Sequence, residues 1–296
     1  MSLISAHSRL PRWLKRKTPL AGASLKVTRL LKEHRLQTVC QSAKCPNLLE
    51  CFGRGTATFL IMGDVCSRAC RFCAVSSGRP APLNEHEPEQ IAAVITRLQL
   101  KHVVITSVTR DDRPDGGSQF FARTIQTIKT AVPGITIEVL VPDFKGEEKS
   151  IKTVAEARPD IFNHNLETIP RLYRSIRTGA DYRRSLAVLS LAKKYNPGLI
   201  TKSGLLLGLG ENKDEVFAVL KDLRKIDCDI LTLGQYLRPS LDSKNIPVAK
   251  FITPDEFTEY KKIAESLGFR SAAAGSYVRS SYHAEKFFGS PLLRND

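Results

Sequence analysis

After Gly53 the chain settles into a rhythm that leaves few folds open to it. Short apolar runs rich in Val, Ile and Leu alternate with amphipathic stretches of helical spacing. The runs are ATFLIMG (57–63), HVVITSV (102–108), TIEVLVPDF (136–144), DIFNHNLE (160–167), LITKSGLLLGLG (199–210) and DILTLGQYL (229–237). Between them, EPEQIAAVITRLQL, SQFFARTIQTIKTAV, DYRRSLAVLSLAKKY and NKDEVFAVLKDLRKI read as helices, and TPDEFTEYKKIAESLG adds another after the last run. Regular alternation of this kind predicts parallel strand pairing and right-handed crossovers.

Six such units point to an α/β fold, a partial (β/α)6 TIM-like barrel with N- and C-terminal extensions. Periodicity alone does not separate a barrel from a doubly wound sheet. The polar oddities, however, follow the strands, where a barrel keeps its chemistry: SVTRDDRPDGG after the second run, NHNLET after the fourth, GLGENKDE after the fifth and QYLRPS after the sixth. The expected organisation is an extension over 1–54, the barrel over 55–270 and a second extension over 271–296.

Seven cysteines stand in 296 residues, and six fall in the first quarter as two triplets. That is too few and too local for a secreted disulfide scaffold, so metal binding or redox chemistry in a reducing compartment is the better reading. The opening MSLISAHSRLPRWLKRK lacks the apolar core of a secretory signal, and no run of about 18 apolar residues is present. A cytoplasmic protein with no membrane association is expected. The formal charge of +15 suggests an acidic partner, but much of it reads as solvated helix faces. Without an RNA-binding signature, no nucleic acid is expected.

Cys66, Cys70 and Cys73 form C-x3-C-x2-C on the loop after the first run. Three thiolates on one tight loop can hold three corners of an iron-sulfur cube and leave the fourth iron free. A closed zinc site wants a fourth ligand; His86 is the available candidate, at long separation across a turn-rich segment. Cys40, Cys45 and Cys51 form C-x4-C-x5-C, neither the ferredoxin pattern nor a paired zinc knuckle. Taken alone this set is open between a zinc site, buried thiols and a second cluster. Cys228, at the start of an apolar strand, reads as a structural thiol.

The C-x3-C-x2-C motif, with Phe72 before its last cysteine and directly after the first strand of a β/α series, resembles the radical S-adenosylmethionine superfamily. The resemblance implies a 4Fe-4S cluster on Cys66, Cys70 and Cys73 whose open iron chelates S-adenosylmethionine, with reductive cleavage yielding a 5′-deoxyadenosyl radical. Gly204, Gly208 and Glu211 match that family's G-x-x-x-G-x-x-E element. Asn163, Asn165 and Glu167 stand where they can reach the ribose or methionine portion, or else cap the next helix or pair with strand ends.

CQSAKCPNLLECF, CSRACRFCAV, VTRDDRPDGG and VRSSYHAEKF together resemble the lipoyl synthase family from about Leu36 to Lys286. This implies a second, auxiliary 4Fe-4S cluster on Cys40, Cys45, Cys51 and a serine of the Arg279 to Tyr282 element, placed on Ser281 with Ser280 as the alternative. It also implies insertion of two sulfur atoms, at carbons 6 and 8 of an octanoyl chain on a lysine, with the auxiliary cluster spent as sulfur source. The implied partners are octanoylated lipoyl-carrier domains (2-oxoacid dehydrogenase acyltransferase subunits and the glycine-cleavage H protein), an electron donor such as ferredoxin or flavodoxin, and an iron-sulfur carrier. A tRNA methylthiotransferase would also use two clusters and explain the charge, but no room for its added RNA-binding domain is expected after the serine element. A non-enzymatic electron carrier would call for closed four-ligand clusters.

Overall fold

The computed structural model describes residues 10–16, 24–242 and 244–284; the basic residues Arg9 and Lys17 and the stretch 285–296 lie outside the described residues. A single helical turn, Arg12–Leu14, and α1 (Leu25–Glu33) lead into the short strand β1 (Gln37–Thr38). Two short helices follow, α2 (Val39–Ser42) and α3 (Leu48–Gly53). The repeating region opens with β2 (Thr58–Ile61) and the paired dipeptides β3 (Val65–Cys66) and β4 (Ser76–Ser77). It continues through α4 (Glu87–Leu98), β5 (His102–Ser107), α5 (Ser118–Ala131), β6 (Thr136–Leu140), α6 (Glu148–Glu156) and β7 (Ile161–Asn163). It ends with α7 (Pro170–Ile176), α8 (Tyr182–Tyr195), β8 (Ile200–Leu207), α9 (Lys213–Lys225), β9 (Ile230–Gln235), α10 (Pro254–Ser266) and β10 (Ser271–Gly275).

The main sheet runs β1-β2-β5-β6-β7-β8-β9-β10. β1 joins antiparallel and every other neighbouring pair is parallel. The order follows the sequence without reversal, as in a barrel wall, and no pairing closes it among the described residues. The expected partial barrel is therefore present, with one parallel strand more than the six apolar runs. β10 is Ser-Ala-Ala-Ala-Gly, which lacks the branched residues that mark a strand in sequence; it is recruited by a five-residue register against β9.

Helix boundaries are set locally. Asn212 and Glu215 form a capping box on α9, and Thr253 and Glu256 form one on α10. The apolar faces of α4, α5, α6, α8, α9 and α10 join the strand residues in one continuous core, with Phe59, Ile61, Ile105, Ile137 and Val139 essentially unexposed. Such interiors are close-packed, and this one is what fixes the strand ends that carry the loops.

Candidate active site

One face of the sheet encloses a cavity of about 530 Å³. The wall residues Leu60, Thr106 and Leu140 are lateral neighbours on β2, β5 and β6, and Gly204 with Thr232 and Leu206 with Gly234 are neighbours on β8 and β9. The cavity therefore fills the inside of the partial barrel. Glycine is required on this wall: a Cβ at Gly204 would collide with Thr232 Oγ1 and come within 3.1 Å of Asn165 Oδ1.

Cys66, Cys70 and Cys73 all line the cavity. Their loop is tied at several points. The pairing of β3 with β4 closes it, and the backbone N–H groups of Thr109 (3.3 Å) and Arg68 (3.4 Å) donate to Cys66 Sγ, while that of Val75 donates to Cys73 Sγ (3.4 Å). The Arg68 guanidinium donates to both oxygens of Asp111 (2.6 and 2.9 Å) and to Asp143 (2.7 Å). Ser67 Oγ donates to the Thr109 carbonyl and accepts from the Asp111 N–H. From the other side Asn245 Nδ2 donates to the carbonyls of Arg71 and Cys73.

These contacts explain the RDDRPDGG segment. Asp111 clamps the cysteine loop, Arg110 pairs with Asp112 and donates to the Met62 carbonyl, and Asp115 accepts the N–H groups of Gly117 and Gln119 at the start of α5. Burial alone would raise the Asp143 carboxyl, but hydrogen bonds and charge from Arg68, with Arg184 beyond, hold it at about 2.

The second triplet reaches the same cavity from the N-terminal extension through Cys40 and Cys45, and Ser280, Ser281 and Arg279 reach it from the C-terminal one. A smaller cavity of about 280 Å³ adjoins on the far side, lined by Cys40, Cys45, Cys51, Arg279 and Ser281 together. The extensions are laced to each other. Asn47 Nδ2 donates to the Tyr277 carbonyl (2.7 Å), Tyr277 OH donates to the Leu14 carbonyl (2.8 Å), and Tyr282 OH donates to Glu50 (2.8 Å). The Arg16 guanidinium covers the Tyr277 ring at 3.6 Å. The two serines differ: Ser280 Oγ accepts from Asn165 Nδ2 at 2.7 Å, whereas Ser281 lines both cavities.

Within each triplet the thiols feel one another's charge. Burial pushes Cys70 up to about 11 and Cys73 and Cys51 up to about 12, and raises Cys40. Such thiols hold their protons until a metal displaces them. Among the described residues no three His, Cys, Asp or Glu groups converge to hold one metal ion. Cys66, Cys70 and Cys73 line the main cavity and Cys40, Cys45 and Cys51 the smaller one, and a void bordered by three thiols has the form a multi-iron cluster needs, in which each thiolate binds a different iron.

The residues after β7 and β8 divide. Asn165, Glu167 and Gly204 line the main cavity. Asn165 Nδ2 donates to Glu167 as well as to Ser280, while its buried Oδ1 has no partner. Burial raises the Glu167 carboxyl, against the pull of Arg177. Asn163 does not line the cavity; it is fully buried and donates to Glu138 (2.9 Å), itself paired with the equally buried Lys202. Gly208 and Glu211 also stand off the cavity: the Glu211 carboxylate accepts the N–H groups of Gly208 and Leu209, shaping the turn after β8. A Cβ at Gly208 would strike the Lys250 carbonyl.

His164 is fully buried, and burial with the nearby Arg177 guanidinium lowers it to about 3. Its Nδ1 lies 2.8 Å from the Val141 carbonyl, which can only accept, so the neutral ring carries its proton there. Cys228 is unexposed and lines neither cavity. Sequence reasoning missed Arg68 and Arg177, both on the cavity wall. Arg177 donates to Tyr173 OH and Ser185 Oγ (each 2.9 Å), neither an acid. In RSIRTGADYRR it is one arginine among several, with no spacing to set it apart.

The Radical SAM superfamily model matches residues 60–223, the segment from β2 to α9. A lipoyl synthase from Caldanaerobacter subterraneus subsp. tengcongensis is 55% identical over 277 residues, covering 94% of this chain and 96% of that protein. The chain belongs to the lipoyl synthase family. A Nitrosococcus oceani lipoyl synthase is 53% identical, covering 95% of this chain and 86% of its own. Solved structures agree on the fold: methylornithine synthase superposes with a TM-score of 0.55 at 14% identity, over 88% of this chain and 84% of that one. The FeFe-hydrogenase maturase from Carboxydothermus hydrogenoformans gives 0.54 at 13% identity, over 86% and 70%. Within the lipoyl synthase family, the superfamily match brings a 4Fe-4S cluster and S-adenosylmethionine with it.

Proposed function

We propose that this chain makes the lipoyl group by inserting two sulfur atoms, at carbons 6 and 8 of an octanoyl chain carried on a lysine of a lipoyl-carrier domain. The observation that carries the reading is one cavity with Cys66, Cys70 and Cys73 on its walls together with Cys40 and Cys45 of the second triplet. A radical formed at one end and a sulfur source at the other then act on the same chain between them.

Cys66, Cys70 and Cys73 hold the first cluster, and the three N–H groups aimed at the sulfurs of Cys66 and Cys73 suit thiolates better than thiols. When bound, that cluster and S-adenosylmethionine supply one-electron cleavage of a sulfonium and, from it, hydrogen abstraction at unactivated carbon. The unpartnered Asn165 Oδ1 accepts from an amine or hydroxyl of the cofactor, and Arg177 offers a buried guanidinium to its carboxylate. Glu167 and Gly204 complete this wall, with Asn163, Gly208 and Glu211 supporting it from behind. The apolar walls of Leu60, Val108, Leu140 and Leu206 exclude water from the octanoyl chain.

Cys40, Cys45, Cys51 and Ser281 hold the sulfur-donating cluster, which is a substrate of the reaction. Ser281 rather than Ser280 suits the fourth position, because the Ser280 hydroxyl is engaged by Asn165. A serine oxygen is a harder, weaker ligand to iron than thiolate, so that corner opens most readily. The carriers are acyltransferase subunits of 2-oxoacid dehydrogenases and the glycine-cleavage H protein. Ferredoxin or flavodoxin supplies electrons, an iron-sulfur carrier restores the spent cluster, and the setting is the cytoplasm. Among the described residues no helix is long and apolar enough to cross a membrane.

The test is anaerobic reconstitution followed by incubation with S-adenosylmethionine, reductant and an octanoyl-lysine peptide, with products read by mass spectrometry. The wild-type chain yields the dithiolated peptide. Cys70→Ala abolishes cofactor cleavage, whereas Cys45→Ala cleaves the cofactor and leaves the peptide without sulfur. Identical behaviour of the two variants would sink the division of labour.

A further inference from the structure

The two cavities share Cys40, Cys45, Arg279 and Ser281, yet they differ in what else they touch. Cys51 lines only the smaller one, so that side alone meets all four groups assigned to the sulfur-donating cluster. Its outer wall reaches Arg54, Gln99 and Lys101, which are exposed. Cations line both: the main cavity has Lys44, Arg68, Arg177, Arg238 and Arg279 against Asp143 and Glu167, and the smaller one has Arg54, Lys101 and Arg279 with, among its described lining residues, no Asp or Glu. Cations with no acid among them suit the passage of an anion.

We infer that the smaller cavity is the port through which a preformed, thiolate-bound 4Fe-4S cluster, an anion, is delivered to Cys40, Cys45, Cys51 and Ser281. This rests on the reading that the cluster held there is spent. Delivery is ligand exchange: each incoming Fe–S(thiolate) bond is replaced by one to a protein cysteine, and the cysteine's proton leaves on the departing thiol. The serine hydroxyl likewise gives up its proton to the fourth thiol. No oxidant or reductant is required. Separate access means that the octanoyl chain and the cofactor need not leave the main cavity for the donor to be restored.

The experiment uses protein spent by one turnover and then freed of reductant. A 4Fe-4S cluster carrying isotopically labelled iron and held by a small thiol is added, and uptake is followed by Mössbauer spectroscopy. Wild-type protein is expected to reload at the same rate whether or not S-adenosylmethionine and the octanoyl peptide saturate the main cavity. Lys101→Trp, which narrows the mouth, and Lys101→Glu, which repels an anion, reload roughly tenfold more slowly, as expected of a gated route. Iron at Cys66, Cys70 and Cys73 stays at wild-type amount in both, which separates the effect from misfolding. Reloading that stops when the main cavity is filled, or that keeps its wild-type rate in both variants, overturns the port. If unmodified spent protein takes up no cluster at all, the sulfur-donor reading itself falls.

Discussion

Glu87 is 6% exposed, and its carboxylate accepts the Met62 N–H at 2.8 Å at the point where β2 turns toward the cysteine loop. Burial, opposed by that hydrogen bond, raises its pKa from 4.5 to about 7. Folded protein therefore holds a proton there that the unfolded chain has already lost. The contribution to stability is complete below pH 4.5 and disappears as pH rises through about 7. Glu87→Gln keeps an acceptor for Met62 and removes the titration. Its melting temperature should vary less than wild type between pH 5 and 7, and at pH 8 it should be more stable by up to about 3 kcal/mol. Equal pH slopes in thermal melts of the two proteins would refute this. At the same scale, Asn163 and Asn165 show how far two residues can diverge. One joins a buried Glu138–Lys202 pair and the other lines the cavity, though both belong to NHNLE.

At the scale of elements, the C-terminal segment can lie over β9 only because residue 234 is glycine. A Cβ there would collide with the Val278 carbonyl and come within about 3.0 Å of Arg279. Gly234→Ala should lift Val278 to Ser281 away from the cavity while leaving the loop of Cys66, Cys70 and Cys73 in place. The expected result is loss of the iron held by the second triplet, retention of cofactor cleavage and no sulfur product. Iron counting against cofactor cleavage on the same preparation checks it. The same logic explains why RDDRPDGG matters without touching substrate: through Asp111 and Arg68 it carries the position of β5 to the cysteine loop.

Across the whole molecule, a sheet that does not close on itself among the described residues meets the segments before β2 and after β10, which bring Cys40, Cys45 and Ser281 to the cavity. The chain as a whole carries a formal charge of +15. An acidic carrier domain should therefore bind with strong salt dependence, its affinity dropping roughly tenfold between low and moderate ionic strength, mainly through slower association. Titration calorimetry and stopped-flow measurements at two salt concentrations check this; affinity indifferent to salt would remove the electrostatic part of the partner argument.

The parallel α/β architecture and the two cysteine triplets were legible in the chain itself, because strand and helix periods and thiol spacing are local properties; Gly204 stood out only through the family resemblance, since its need for a bare backbone comes from Thr232 and Asn165. The seventh strand was not, since Ser-Ala-Ala-Ala-Gly becomes a strand only by pairing with β9. Nor could local pattern tell Asn165 from Asn163 or single out Arg68 and Arg177 among many arginines. Those distinctions depend on which side chain meets the cavity and which is already hydrogen-bonded, and they arise only when segments distant in sequence come together, as Asn163 and Glu138, Arg68 and Asp143, and Asn165 and Ser280 do.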